Sequence, residues 1–137
     1  NPAEVHAVLL WVRKILASKR LPASEIGIIA PYASQVRLIE EALGSAASGI
    51  SAAEGSAIKV ATAERFQGQE RGAIIISTTR GETDETIGFV ADPRRMNVML
   101  TRAKALLVVV CSTTALERRS GLWRDFVRLQ RGEGACI

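Results

Sequence analysis

The stretch "AIIISTTR" at residues 73–80 decides the fold, because its first four residues are apolar in succession. Such a run is typical of a central strand in a parallel sheet, which is buried on both faces. Comparable strand-sized runs occur at residues 25–32, 58–63 and 105–112. Segments with helical spacing separate most of these runs, and a polar segment at residues 64–72 separates the run at 58–63 from the run at 73–80. Alternating helices and buried strands predict an α/β layered domain around a mostly parallel sheet.

Two helices are predicted near the start of the chain. The first begins with a capping residue, a proline in the first turn and an acidic residue three positions after the cap: Asn1, Pro2 and Glu4. The second, "SQVRLIEEALG" at residues 34–44, has apolar residues at helical spacing. The Ser-, Ala- and Gly-rich residues 45–57 have no apolar period, which predicts a mobile loop.

Later segments carry similar signals. The acidic, glycine-containing residues 81–93 predict a surface loop. Thr114 with Glu117 forms a capping-box pattern and predicts a last helix, which we expect Gly121 to interrupt.

The composition limits the class of protein. The 137 residues suffice for one domain with one core, and the net charge of +4 permits nucleic-acid binding without demanding it. The apolar runs are shorter than the roughly 20 residues of a membrane span, so no membrane partner is expected. Two cysteines give neither a disulfide framework nor a metal pattern, which favours a reducing compartment, the cytoplasm, with the nucleus as the alternative.

The segment "DPRRMNVMLTRAK" at residues 92–104 concentrates positive charge. On a helix, which advances about 100° per residue, its side chains divide into two groups. One side holds Met96, Met99, Leu100 and Ala103; the other holds Arg94, Arg95, Asn97, Thr101 and Arg102, with Val98 among them. This pattern indicates either an amphipathic helix with a solvated basic face or an anion-binding face.

Polar residues follow three of the predicted strands: residues 31–35, 62–70 and 77–80. Because ligands of parallel sheets bind at the carboxyl ends of strands, we expect one continuous polar surface there. The chain has no GxxxxGK[ST] phosphate loop and no nucleophile–base set, so an independent enzyme is not expected.

Three segments resemble motifs IV, V and VI of superfamily 1 helicases: "IGIIAPYASQ", "VATAERFQGQERGAIIIS" and "DPRRMNVMLTRAK", in that order. The chain looks most like the superfamily 1B RNA helicases, in the group of the nonsense-mediated-decay helicase, and within it like the Armitage-type small-RNA-pathway branch. The resemblance covers nearly all of residues 1–137. It implies a second, C-terminal RecA-like domain with three layers, excised from a longer chain.

In such helicases ATP lies between two RecA-like domains, and the first domain carries the phosphate loop and most Mg²⁺ ligands. The resemblance therefore implies that Arg102 is the arginine finger and that Glu70 meets the ribose. Gly68 would let backbone approach ATP closely, and Gln67 would contact ATP or bracket the motifs. The family's arginine after the motif IV glutamine is Val36 here, with Arg37 next, so a second phosphate contact could fall to Arg95 or Arg94 or be missing.

The resemblance also implies a groove for single-stranded RNA. Its residues would be Pro31, Tyr32, Thr62, Asn97 and Thr101, with Ser77 and Arg80 as further candidates at the same predicted edge of the sheet. The implied function is 5′-to-3′ movement along RNA in RNA silencing, including the piRNA pathway, or in RNA turnover, with small-RNA pathway proteins among the partners. The alternatives are a degenerate domain that only binds RNA or protein, and a DNA repair helicase domain.

Overall fold

The computed structural model describes residues 1–78, 92–113, 117 and 121–134. Helices and strands alternate along these residues. In chain order they are α1 (Pro2–Ser18), β1 (Ile26–Ile29), α2 (Ala33–Gly44), α3 (Ala52–Ala57), β2 (Lys59–Ala61), α4 (Ala63–Phe66), β3 (Arg71–Ser77), α5 (Pro93–Leu100), β4 (Ala103–Val110) and α6 (Gly121–Gly132). Single turns of 3-10 helix occur at Ala23–Glu25 and Ala46–Ser48.

The four strands form one sheet in the order β2-β1-β3-β4, and every pairing in it is parallel. The predicted α/β class is therefore confirmed. The apolar run that begins at Ala73 forms most of β3, and Ala73, Ile74, Ile75 and Ile76 are fully buried. β3 is buried because it lies inside the sheet, between β1 and β4.

Apolar side chains cover the sheet on both faces, which gives three layers. On one face, α1 and α2 contribute Val8, Val12 and Ile39 to a core that includes Ile75. The other face carries a second core, in which α4, α5 and α6 meet the side chains of Ile74 and Ile76. The helical residues of that second core are Phe66, Met96, Met99 and Trp123. Successive β3 side chains alternate between the two cores, as the pleat of a strand requires.

The predicted mobile loop at residues 45–57 is wrong, because this segment contains a 3-10 turn and α3. Ser51 caps α3: its Oγ accepts a hydrogen bond from the Glu54 N–H at 3.2 Å and donates one to Oε1 of the same residue at 2.8 Å. Ser48 and Ile50 are buried on the approach to α3. The cap at Ser51 and the burial of Ser48 and Ile50 thus order this segment, although its sequence has no apolar period.

The basic helix is shorter than predicted. It ends at Leu100, and Ala103 already pairs with Arg71 as the first residue of β4. Met96 and Met99 are buried as expected, but Ala103 is not on their helical face because it belongs to the strand. Thr101 and Arg102 therefore form the turn between α5 and β4.

Some predictions concern parts of the chain outside the described residues. These are most of the acidic loop, Arg80, and the capping pattern at Thr114. In the part of the chain that the structure does describe, no helix is long and apolar enough to cross a membrane.

Candidate functional site

Most of the predicted site residues lie at two opposite edges of the sheet. All four strands run in the same direction, so each starts at one edge and ends at the other. Thr62 follows the end of β2, whereas Glu70 directly precedes β3. The prediction that residues 62–70 share the carboxyl edge is therefore wrong for their second half. A parallel crossover must return the chain to the amino edge before the next strand begins.

The amino edge brings Arg102 beside the "QGQE" turn. The Arg71 N–H donates to the Arg102 carbonyl at 3.1 Å, which joins the starts of β3 and β4. The Arg102 guanidinium donates to the carbonyls of Val98 at 3.2 Å and Gln69 at 3.4 Å, and to the Thr101 hydroxyl at 3.1 Å. No carboxylate among the described residues pairs with it. Neutral oxygens orient this cation without cancelling its charge, which suits a site for an anion.

Glu70 and Gly68 are exposed in the same turn. Gly68 has a φ of +76°, which a glycine adopts without strain, and no atom lies within 4 Å of a Cβ built there. Arg71 donates to the Glu70 carbonyl at 2.9 Å, and its Nε is buried without a partner among the described residues. Two guanidinium groups beside an open glycine turn fit a polyanion such as the phosphates of ATP. The described residues contain no cluster of metal-ligating side chains, so this edge offers no evident set of Mg²⁺ ligands.

A brace behind this turn was not predicted. The Glu25 carboxylate accepts a hydrogen bond from the Gly72 N–H at 2.8 Å and lies 3.6 Å from the Lys104 ammonium. It thereby links the starts of β1, β3 and β4. The Gly72 hydrogen bond, followed by the charge of Lys104, lowers the pKa of Glu25. Nothing local in the sequence reveals this contact, because its partners are distant along the chain.

Gln67 and Arg95 lie in a small cleft between α4 and α5, of about 220 Å³ and also lined by Glu64, Arg94 and Val98. Arg95 forms an ion pair with Glu64 at 2.9 Å. The helical wheel places Arg95 near Arg102 in angle, but seven helical positions advance about 10 Å along the axis. Arg95 is thus tied to α4, and its contact with phosphate stays a prediction.

Pro31, Tyr32 and Thr62 lie together at the carboxyl edge. The Ala30 N–H donates to the Ala61 carbonyl at 3.2 Å, so the ends of β1 and β2 are adjacent. Thr62 directly follows β2 and is the N-cap residue of α4, whereas Tyr32 lies beyond Ala30 and Pro31 after β1 and directly precedes α2. Pro31 is buried, whereas Tyr32 and Thr62 are partly exposed. The Thr62 hydroxyl makes no hydrogen bond within the described residues, so it is available to a ligand.

Asn97 and Thr101 do not join this group. The Thr101 hydroxyl donates to the Asn97 carbonyl at 2.7 Å and accepts from Arg102. Thr101 is therefore at the amino edge with Arg102, and Asn97 is one helical turn before it. Arg37, the candidate one position after Val36, is exposed on α2.

A buried polar cluster supports the carboxyl edge and was also not predicted. Glu4 accepts hydrogen bonds from the Ser77 hydroxyl and, at 3.2 Å, from the Thr78 hydroxyl, and the Gln35 amide donates to Ser77 at 3.2 Å. All four side chains are buried. The cap of α1 is confirmed, since Oδ1 of Asn1 accepts from the Glu4 N–H at 3.3 Å. Glu4 lies four positions before the buried Val8 and therefore on the same face of α1. This spacing is the sequence signal that could have indicated a buried carboxylate.

The structure is an α/β domain, because helices pack on both faces of a parallel sheet. Arginine side chains at the starts of its strands suit an anionic ligand. The chain matches the family described as AAA domain over residues 1–114. It is 40% identical to the protein named "Putative helicase MOV-10" of Gallus gallus, over 98% of this chain and 15% of that protein. It is 31% identical to the protein named "Putative ATP-dependent RNA helicase ECM32" of Saccharomyces cerevisiae, over 93% of this chain and 14% of that protein.

The chain is also 38% identical to the DNA replication ATP-dependent helicase/nuclease DNA2 of Mus musculus, over 86% of this chain and 10% of that protein. It thus belongs to the AAA domain family and, within it, to the superfamily 1 helicases. The group predicted from the motifs, with its small-RNA branch, fits the likeness to MOV-10. The chain spans 10 to 15% of the length of these three relatives.

Proposed function

We propose that this chain is the C-terminal RecA-like half of an ATP-dependent RNA helicase, with Arg102 as the arginine finger. The observation that carries the proposal is the placement of Arg102 beside the Gln69–Glu70 turn. Its guanidinium is oriented by three oxygens and has no carboxylate partner within the described residues. A positioned, uncompensated guanidinium is what stabilises charge on a transferring phosphoryl group.

The amino edge would face ATP held by a first RecA-like domain, which would also supply the phosphate loop and most ligands of Mg²⁺. ATP brings the phosphoanhydride bond that is hydrolysed. Arg102 would donate to the γ-phosphate oxygens, and Glu70 would accept hydrogen bonds from ribose hydroxyls. The isolated chain is expected not to hydrolyse ATP, because it has no phosphate loop.

The carboxyl edge would carry single-stranded RNA along Pro31, Tyr32 and Thr62. A hydroxyl and backbone groups suit contacts to phosphate and 2′-OH, which position a strand without selecting its bases. We further propose 5′-to-3′ translocation in the cytoplasm, in RNA silencing or RNA turnover. In this proposal Asn97 and Thr101 belong to the ATP face, where they would position α5 and Arg102, and they are not part of the RNA groove.

The decisive experiment uses Arg102→Ala in the complete helicase. Loss of the finger should lower kcat by about 10³-fold, with a much smaller change in ATP affinity. Arg102→Lys should restore little, because an ammonium cannot reproduce the forked donors. The matched variant Thr62→Ala should weaken RNA binding and leave ATP binding nearly intact. A wild-type hydrolysis rate for Arg102→Ala would contradict the proposal, and would favour a domain that only binds RNA or protein.

A DNA helicase is the second candidate, and the likeness to DNA2 favours it. The two candidates differ in the strand that accelerates ATP hydrolysis. If RNA is the substrate, single-stranded RNA should stimulate the complete protein more than DNA of the same sequence and length. Stronger stimulation by DNA would assign the carboxyl edge to DNA.

A further inference from the structure

Gln69 is held from two sides. Its side-chain oxygen accepts a hydrogen bond from the Lys59 ammonium at 2.5 Å, and its backbone carbonyl accepts one from Arg102 at 3.4 Å. Its own N–H donates to the Phe66 carbonyl at 2.9 Å. Gln69 therefore connects Lys59, at the start of β2, to Arg102, which directly precedes β4 on the far side of the sheet.

The side-chain contacts of Lys59 fix the end of α4 and the turn after it. Its Nζ donates to the Arg65 carbonyl at 3.2 Å and lies 4.8 Å from the centroid of the Phe66 ring. Phe66 is fully buried, so the ring is a fixed platform for the ammonium. Partial burial and the nearby Arg71 charge lower the pKa of Lys59. A cation at the last carbonyls of a helix also stabilises that helix end.

We propose that Lys59 is a positioning residue for the ATP face, acting through Gln69 on Arg102 and Glu70. This inference rests on the proposed function of Arg102. Glu70 follows Gln69 directly, and Arg102 is bound to the Gln69 carbonyl, so a displaced Gln69 moves both groups. Lys59 itself would touch neither ATP nor RNA. Misplacement of a catalytic group by about 1 Å can cost up to 10²-fold in rate.

The test is a double-mutant cycle on the complete helicase with Lys59→Met and Gln69→Ala. Methionine roughly keeps the length of the lysine side chain and removes its ammonium. Alanine removes the side-chain oxygen of Gln69 that accepts from Lys59 and keeps the backbone carbonyl that accepts from Arg102. Each single variant should lower kcat by about tenfold, with KM for ATP changed less. The double variant should be no slower than either single variant, because both break the same link. Lys59→Arg should recover much of the rate, since it restores the donor.

Lys14→Met is the matched control, because the Lys14 ammonium lies 4.8 Å from the centroid of the Trp11 ring, as Lys59 does from Phe66, but on α1. It should leave kcat unchanged. Rate losses that multiply in the double variant, or a Lys59→Met variant with reduced thermal stability but wild-type kcat, would overturn the inference. The two proposals fail differently: a wild-type rate for Arg102→Ala defeats the proposed function. If Arg102→Ala lowers kcat while Lys59→Met keeps the wild-type kcat, only the positioning role is contradicted.

Discussion

Single residues set how closely α4 packs on the sheet. A Cβ at Gly27, inside β1, would lie 2.8 Å from both Cδ1 of Ile74 and Cζ of Phe66. Both of those side chains are fully buried and have little room to move. Gly27→Ala should therefore lower the free energy of unfolding by about 1–3 kcal/mol in chemical denaturation of the chain.

Gly44 provides the control for this substitution, because no atom lies within 4 Å of a Cβ built at that position. Gly44→Ala should leave the stability unchanged or raise it slightly, since alanine favours the helical conformation. Equal effects of the two substitutions would show that the contact with Phe66 is not tight.

The brace at Glu25 makes stability depend on pH in the acid range. The Gly72 N–H and the Lys104 ammonium lower the pKa of this carboxyl below its ordinary value of 4.5. The stabilisation by the carboxylate is therefore complete above the unfolded pKa and disappears as pH falls through the folded pKa. In denaturation at several pH values, wild type should exceed Glu25→Gln by a constant margin near neutrality, and the margin should shrink in acid. A margin independent of pH would show that Glu25 does not titrate in this contact.

Glu4 shows what the sequence hides at this scale. The capping pattern of Asn1 and Glu4 predicts the start of α1, and the cap bond confirms it. The same pattern does not show that the carboxylate turns inward to Ser77 and Thr78, more than 70 positions away in sequence. Caps are local and can be recognised from a few residues, whereas buried polar clusters are defined by the tertiary fold.

At the scale of elements, the presence of a parallel sheet follows from the apolar runs more readily than the site geometry does. The parallel sheet and its buried strand β3 were predictable, because β1, β3 and β4 each contain a distinct apolar run. The division of residues 62–70 between two edges was not. It depends on α4, a helix of four residues with two buried side chains, Ala63 and Phe66. Too short to show an apolar period, α4 leaves the direction of the chain undetermined in the sequence.

The same limitation explains the basic segment. Helical periodicity correctly predicts that Met96 and Met99 face the core. It cannot locate the end of the helix, because Thr101 and Arg102 carry side chains that are as compatible with a helix as with a turn. The tertiary contacts decide: Arg71 binds the Arg102 carbonyl and starts the pairing of β3 with β4. That early end is what places Arg102 beside Gln69.

At the scale of the whole molecule, the sheet separates the two proposed ligand faces by the length of its strands. Arg102 and Glu70 lie where strands begin, and Tyr32 and Thr62 lie where strands end. β3 has seven residues, which corresponds to roughly 23 Å between the two edges. A side chain at one edge therefore cannot touch a ligand at the other. Coupling between ATP and nucleic acid would have to pass through the sheet and the helices packed on it.

This separation predicts how the isolated chain binds RNA. With only the carboxyl edge to hold a strand, single-stranded RNA should bind weakly and chiefly through phosphates. Each phosphate contact contributes a slope of about −0.7 in log affinity against log salt, so a severalfold rise in salt should abolish most binding. Thr62→Ala should weaken the affinity at low salt, whereas Arg102→Ala, at the other edge, should leave it almost unchanged. Fluorescence anisotropy with a labelled oligonucleotide measures the affinity of the wild type, its dependence on salt and the affinities of the two variants. Binding that resists salt would show that the contacts are not to the phosphate backbone. Binding that falls with Arg102→Ala and not with Thr62→Ala would place the RNA at the amino edge.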